Sequence, residues 1–399
     1  MLKQFGAGMF AVAFSTLFSP QLAMAQETVK IGVVIPLSGS NAQFGANIRN
    51  GLELALKDVN GAGGIGSLEG AKVELVYADT PEPAKAGAAV QRLVSGEKVV
   101  GIIGSFVSNI TLAASEVTER LGVPMVTHSF ADQITERGYR NIFQMSPKAS
   151  VLGAATFEQA IQLGEISDEK ISRIAILWED TSYGTAQSKG IREAAEKAGV
   201  EVVVDEGYPP GITDVTPLIN KLRNSGAQLV FPVSYINDAV LIIRSMGQQQ
   251  IDTPVVGGAG GYIIPDFGTA LGAMAEGVLS VAPANYDAAK QIADRYRATY
   301  GTWPSHEALM YAAGLEDMVK AIDVARSTDP AKIRDALSTL RFCEGFARAL
   351  PTGCLAYDET GATTTGTPIM VQWQGGELVT VFPQKAGAQL LWRGKQITE

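Results

Sequence analysis

Short apolar runs alternate along this chain with longer stretches of helical period. Val29, Ile31 and Val33-Val34-Ile35 predict a buried strand, and beyond Gly45 the residues Ile48, Leu52, Ala55, Leu56 and Val59 recur on one helix face. The pairing repeats: a strand over 72–77, a helix opened by Pro83, a strand over 99–103, a helix over 109–121 and a strand over 124–127. It resumes at 173–178, 201–204, 229–231 and 254–256, with helices after Ser182, Thr216 and Ile236. Thr216-Pro217 marks one helix start, because a hydroxyl able to cap is followed by proline where a missing N–H costs nothing. Strands separated by helices in this way predict parallel sheets with right-handed crossovers, covered on both faces. The chain is therefore expected to be α/β, with two Rossmann-like sheets. From about 288 to 340 the pattern turns mostly helical, and Ile369 to Trp373 reads as a β ribbon, so the last quarter must add to sheets already begun.

The first apolar stretch reads differently. Residues 1–25 combine Lys3, the run Met9 to Phe14 and the small-residue ending Ala23-Met24-Ala25, which is the pattern of a cleavable export signal. The run is too short for a membrane span and gives way to Ser19-Pro20-Gln21. What remains is long enough for two domains of ordinary size. With 46% hydrophobic and 18% charged residues the composition is globular, and a net charge of −9 leaves no basic field for nucleic acid or an anionic bilayer. Cys343 and Cys354 flank the turn-rich 349–353, which an oxidising compartment would close as a disulfide; the alternative is two buried thiols. With two histidines, His128 and His306, and those two cysteines, neither a zinc finger nor an H-E-x-x-H site can be assembled, so no metal and no cofactor are expected.

One nucleotide-like motif is a decoy. Gly61-Ala62-Gly63-Gly64-Ile65-Gly66 fits G-x-G-x-x-G, but a helix precedes it and a strand follows, the reverse of a dinucleotide site, so it reads as a helix C-cap and turn. Gly257 to Gly261 follows a strand without promising a helix and reads as a cleft loop. Asn109-Ile110-Thr111 fits a glycosylation sequon but reads as the opening of a helix. No G-x-S-x-G elbow, P-loop or EF-hand loop occurs, so no enzyme signature is present. The segment 104–109 lies between a strand's carboxyl end and a helix's amino end, where free N–H groups favour an anion, and 127–132 leaves the neighbouring strand at the same edge. Ser108 is the first ligand-binding candidate; its alternative role is a helix cap.

At these residues the chain resembles a known family. The runs 102–108 and 123–131, then Arg137-Gly138-Tyr139, Ile142-Phe143-Gln144, the opening 31–39, Asp180 to Gly184 and Tyr357 to Gly361, resemble the periplasmic leucine/isoleucine/valine-binding proteins of ABC importers. The resemblance covers essentially the whole chain after residue 25. It implies two Rossmann-like lobes joined by a three-segment hinge: 26–146 with 281–355, and 147–280 with 356–399, crossing near Ser146-Pro147, Ser280 to Pro283 and Leu355 to Asp358. It also implies a periplasmic monomer that captures a small carboxylate-bearing solute and delivers it to an ABC permease and its ATPase, with no chemistry of its own. By position, Ser108 and Ser129-Phe130-Ala131 would bind the carboxylate, Phe44, Phe106 and Val107 would line the side-chain end, and Tyr183 and Tyr235 would close from the second lobe. Amino-acid-binding members place an acid where this chain has Ala259, so either Asp132, Asp180 or Asp238 substitutes or the solute lacks an amine. Thr127-His128 stands where members often read Ser-Pro. Two other roles share parts of this pattern: a ligand-sensing subunit for a membrane receptor, and a secreted hydrolase using Ser129 with His128. The export reading predicts that the mature protein begins at Gln26, which N-terminal sequencing or intact mass checks directly.

Overall fold

The computed structural model describes Met1 and residues 28–284, 289–383 and 389–397; the export signal expected over 1–25 lies outside the described residues apart from Met1. The chain opens with β1 (Thr28–Ile35), α1 (Ala42–Gly61), β2 (Lys72–Asp79), α2 (Pro83–Gln91) and β3 (Ile102–Gly104). It continues with α3 (Ser108–Leu121), β4 (Met125–Thr127), α4 (Gln133–Glu136) and β5 (Ile142–Gln144). These strands form a five-stranded sheet in the order β2-β1-β3-β4-β5, parallel throughout. β1 pairs residue for residue with β2 from Thr28–Lys72 to Ile35–Asp79, and its apolar run is buried on both faces.

A second sheet follows. It is built from α5 (Ala149–Ile166), β6 (Arg173–Glu179), α6 (Ser182–Ala198), β7 (Glu201–Tyr208), α7 (Thr216–Ser225), β8 (Leu229–Val233) and α8 (Ile236–Gln248). β9 (Val256–Gly257), α9 (Pro265–Leu271) and β10 (Leu279–Ala282) complete its first pass. The order β7-β6-β8 is parallel, and a Val230–Val255 bridge carries it on to β9 and β10. α5 and α6 pack on each other against this sheet.

The last quarter returns to both sheets. α10 (Lys290–Tyr300), α11 (His306–Ala325) and α12 (Pro330–Leu337) come first, and α11 lies along α1 of the first unit. That approach depends on Gly51, since a Cβ there would sit 2.1 Å from the Ala308 carbonyl oxygen. β11 (Ile369–Gln374) and β12 (Glu377–Phe382) then join the second sheet as an antiparallel ribbon on β10, and β13 (Leu390–Trp392) pairs with β14 (Lys395–Ile397). The ribbon expected over 369–373 is thus an edge of the second sheet. Between them, Phe342 and Leu355 exchange backbone hydrogen bonds of 2.8 and 2.7 Å, and Cys343 and Cys354 are joined as a disulfide.

The strands and helices read from periodicity are present, with boundaries shifted by a few residues. β3 starts at Ile102 rather than Val99, and a short helix, α9, follows the 257–261 loop, which on its own promises none. The glycines at 61–66 do close α1 and turn the chain: Ala62 caps the helix, and Ile65 bridges Ala71. Gln144 N–H donates to Gly361 O at 2.7 Å and Ala362 pairs with Gln144, so the returning segment still lies on the edge of the first sheet there. By Pro368 the chain is on the second unit, its carbonyl accepting from Gln159 of α5 at 3.0 Å. Gly366, in between, packs against Pro147, where a Cβ would come within 2.7 Å of the proline ring.

Asp317 ties the returning segment to α11. Its Oδ2 accepts from the Tyr357 hydroxyl at 2.9 Å, its Oδ1 has no partner among the described residues, and burial pushes its pKa up to about 7. A raised folded-state pKa gives stability that is complete below the ordinary carboxyl value and is lost as pH rises through about 7. Asp317→Asn keeps an acceptor for Tyr357 and removes the charge. Relative to the parent, the variant should gain on the order of 4 kcal/mol between pH 4 and pH 8. Denaturant midpoints of both proteins across that range test this.

Candidate functional site

The carboxyl edge of the first sheet carries the expected loops. β3 ends at Gly104, whose φ of +147° and close approach to Val34, where a Cβ would sit 2.0 Å from the carbonyl oxygen, admit glycine alone. Phe106 follows with φ of +78°, a costly conformation for a bulky residue that the surrounding packing must hold. Ser108 is the first residue of α3, and its side chain makes no cap to that helix. Its Oγ accepts instead from the N–H groups of Phe130 and Ala131 at 3.3 and 3.2 Å, so the cap role is set aside in favour of a link between the two loops. Ser129 is committed inward: its hydroxyl meets Thr111 at 2.6 Å and Thr127 at 3.0 Å, and its carbonyl accepts from Gln144 and Ser146, each at 2.8 Å. Val107 is buried and its carbonyl starts α3 by accepting from Ile110 and Thr111, each at 3.0 Å.

The second sheet presents aromatic residues opposite. Tyr183, at the start of α6, and Tyr235, just before α8, have ring centroids 5.4 Å apart. Tyr235 accepts from the Ser108 N–H at 3.3 Å across the cleft, and Tyr183 donates to the Gly258 carbonyl. Phe44 and Phe106 lie 4.6 Å apart, Phe44 and Tyr235 5.9 Å, Phe106 and Tyr235 6.2 Å, and Phe130 and Tyr183 5.5 Å. Phe44, Phe106, Phe130, Tyr183 and Tyr235 therefore form one aromatic box across the cleft. Polar contacts mark its rim: Ser182 donates to Asn109 at 2.6 Å and Asn237 to the Ser40 carbonyl at 3.1 Å. A cavity of about 640 Å³ next to Phe44 and Tyr235 is lined by Gln43, Ile236, Asn237, Arg244 and Asp266 among others.

Ala259 sits beside the box with no charge to offer. Its N–H donates to Ser280 at 3.1 Å, and the adjoining Gly260 lies against the Tyr183 hydroxyl. Of the three acids considered as substitutes, Asp132 accepts from the Ser150 N–H at 3.0 Å at the head of α5, and Asp238 accepts from Gly211 at 3.2 Å with its pKa pushed by burial to about 6. Asp180 follows β6, its N–H bonded to the Tyr208 carbonyl at 2.7 Å. The acid nearer the tyrosines is Glu179, which accepts from the Tyr235 N–H at 3.1 Å and is raised to about 7 by burial, with the Asp238 charge adding to the effect.

What sequence reading missed is a histidine pair. His128 Nε2 and His306 Nδ1 are 2.9 Å apart although 178 positions separate them, and both rings touch Phe106, at 5.8 and 5.6 Å. Burial lowers both, His306 to about 3, so both rings are neutral. This pairing also takes His128 away from Ser129, and no nucleophile–base couple forms there. The local signal is His306 directly before Glu307 at a helix start, but nothing in it points to His128. Among the described residues no group of three or more His, Cys, Asp or Glu could hold a metal ion.

Two sheets whose carboxyl edges face each other across a hinge define a two-lobed solute-binding architecture, and comparison with known proteins agrees. The periplasmic binding protein family model matches residues 28–377, and the chain belongs to that family. It is 32% identical to Leu/Ile/Val-binding protein homolog 8 of Brucella melitensis over 96% of both chains. Its fold matches the branched-chain amino acid transporter substrate-binding protein of Streptococcus pneumoniae in complex with isoleucine (TM-score 0.77, 25% identity, 89% of this chain and 100% of that one). It also matches a solute-binding protein of Rhodopseudomonas palustris BisB5 in complex with 3,4-dihydroxybenzoic acid (TM-score 0.78, 20% identity, 89% and 96%). The protein is a two-lobed, type I periplasmic binding protein, a solute-binding protein and not an enzyme. Among the described residues no helix is long and apolar enough to cross a membrane.

Because Gly104 sets the loop that carries Phe106 and Ser108, Gly104→Ala should cost more than about 2 kcal/mol of stability. Urea unfolding of the variant beside the parent measures the loss.

Proposed function

We propose that this protein captures a small carboxylate-bearing solute in the periplasm and hands it to an ABC permease with its ATPase, acting as a monomer exported by the signal at 1–25. The observation that carries the reading is the convergence of the Phe130 and Ala131 N–H groups on the Ser108 hydroxyl at the sheet edge, beside the Ser108 N–H that donates to the Tyr235 hydroxyl of the other lobe. N–H groups at strand and helix ends stabilise an anion there. In the closed form the Ser108 hydroxyl and the Tyr235 phenol oxygen sit where solute oxygens would be received, so binding requires the lobes to part and re-close around the ligand. Phe44, Phe106, Phe130, Tyr183 and Tyr235 then cover its apolar body, while Val107, Ser129 and Ala259 shape the loops around it.

In this reading the lobes are 26–146 with 281–355 and 147–280 with the C-terminal ribbon, and the third crossing falls after Ala362, which still pairs with Gln144. Packing of Gly366 on Pro147 supports two crossings side by side. One fold relative is named for isoleucine and another for a dihydroxybenzoic acid, so fold likeness alone does not choose between an amine-bearing and an amine-free acid.

Hydrogen bonds to a charged group are worth about 1.5–3 kcal/mol each. Ser108→Ala should therefore weaken binding of the carboxylate solute by about tenfold to a hundredfold, and Tyr183→Ala in the same chain should weaken it further. Calorimetric titration of ligand-stripped protein with a panel of amino acids and benzoates tests both, and unchanged affinity removes these residues from the site.

A further inference from the structure

The box is not apolar throughout. At one side Phe106 touches Tyr235, whose hydroxyl meets Ser108, and at the other it touches the His128–His306 pair. The pair is fully buried; His128 Nδ1, His306 Nε2 and Glu307 Oε2 have no aligned hydrogen-bond partner among the described residues, although the Gly260 carbonyl lies toward the His306 ring and Ser305 toward the Glu307 carboxylate. His306 Nε2 stands 3.3 Å from Glu307 Oε2, and Glu307 Oε1 accepts from Asn47 at 3.0 Å.

A neutral imidazole has one donor and one acceptor nitrogen. If His128 donates to His306, the His306 Nε2–H faces the Glu307 carboxylate and His128 Nδ1 is left as a bare acceptor. If Glu307 holds a proton and gives it toward His306, the chain runs the other way and His128 Nδ1 is left as a donor. In either arrangement His128 ends the relay with one unmet hydrogen bond inside an aromatic enclosure. A hydroxyl, which donates and accepts, satisfies both; a carboxylate, which only accepts, meets the second alone, and an ammonium meets only the first.

Resting on the carboxylate reading above, we propose that the solute is an aromatic carboxylate bearing a ring hydroxyl, with the carboxylate at Ser108, the ring against Phe106 and the hydroxyl at the His128–His306 pair. The ring suits walls made of Phe44, Phe106, Phe130, Tyr183 and Tyr235, since aromatic pairs stabilise one another beyond their buried area. Lack of an α-amine suits Ala259 and the engagement of Asp132 and Asp238 with backbone N–H groups elsewhere. An ordered hydroxyl that meets an otherwise unmet buried group is worth about tenfold in affinity.

The test titrates ligand-stripped mature protein with benzoate, 3- and 4-hydroxybenzoate, 3- and 4-methylbenzoate, tyrosine and leucine. At least one hydroxybenzoate should bind about tenfold or more tighter than benzoate and than its methyl counterpart, and His128→Phe and His306→Phe should each bring that ratio close to one. With two histidines in the entire chain, ¹⁵N ring signals of the native protein give an independent reading that needs no variant to fold. Both rings should shift with the favoured hydroxybenzoate and respond differently to benzoate. Equal affinities for hydroxyl and methyl compounds, a ratio that survives both substitutions, or unmoved histidine signals overturn the hydroxyl assignment while leaving the carboxylate site standing. Tighter binding of leucine or tyrosine overturns the amine-free assignment, and binding of none of these carboxylates overturns the underlying reading as well.

Discussion

Two backbone N–H groups, those of Phe130 and Ala131, point at one hydroxyl oxygen, Ser108 Oγ, and this convergence organises the carboxyl edge of the first sheet. A parallel sheet ends its strands in loops whose N–H groups have no ladder partner, and burying them unpaired costs free energy. Ser108 reaches them because α3 begins immediately after the Gly104–Val107 turn, and because Ser129 turns its hydroxyl to Thr111 and Thr127 rather than toward the cleft. The aromatic box is then assembled around that edge, with Phe106 and Phe130 as neighbours of the same loops.

Much of this was legible in the chain. Local period was enough for β1, α1 and the second-lobe repeat, since burial on both faces of a parallel sheet imposes an apolar run that neighbouring residues alone reveal. Ser108, Phe130, Tyr183 and Tyr235 were legible because each sits at the end of a strand or the head of a helix, where fold rules confine ligands. Less was legible where two distant segments had to meet. His306 opens α11 after Trp303-Pro304-Ser305, which give no local signal, and the packing of α11 on the first sheet beside β3 and β4 brings it to His128. The pairing of Ala362 with Gln144 is of the same kind, a bond between residues far apart in the sequence. Ser129 shows a different limit: its place on the loop after β4 was legible, while the bonds of its side chain to Thr111 and Thr127 were not.

The chemistry of the cleft follows from what surrounds its polar groups. Glu179 and Glu307 are buried enough to be raised to about 7, and the two histidines are buried enough to stay neutral. A site with so little fixed charge discriminates by the placement of dipoles and of hydrogen-bond donors and acceptors. Specificity of that kind rejects a solute lacking the matching group more strongly than one differing by a methylene.

The bonds at the rim have a kinetic consequence. Ser182 to Asn109 and Asn237 to Ser40 span the mouth where water competes for the same atoms, so each contributes weakly to holding the lobes shut. The interior rings are desolvated and must be separated before anything can leave. For a solute enclosed among those rings, residence time would be governed from the inside, and substitutions at the mouth would alter how fast it enters more than how long it stays.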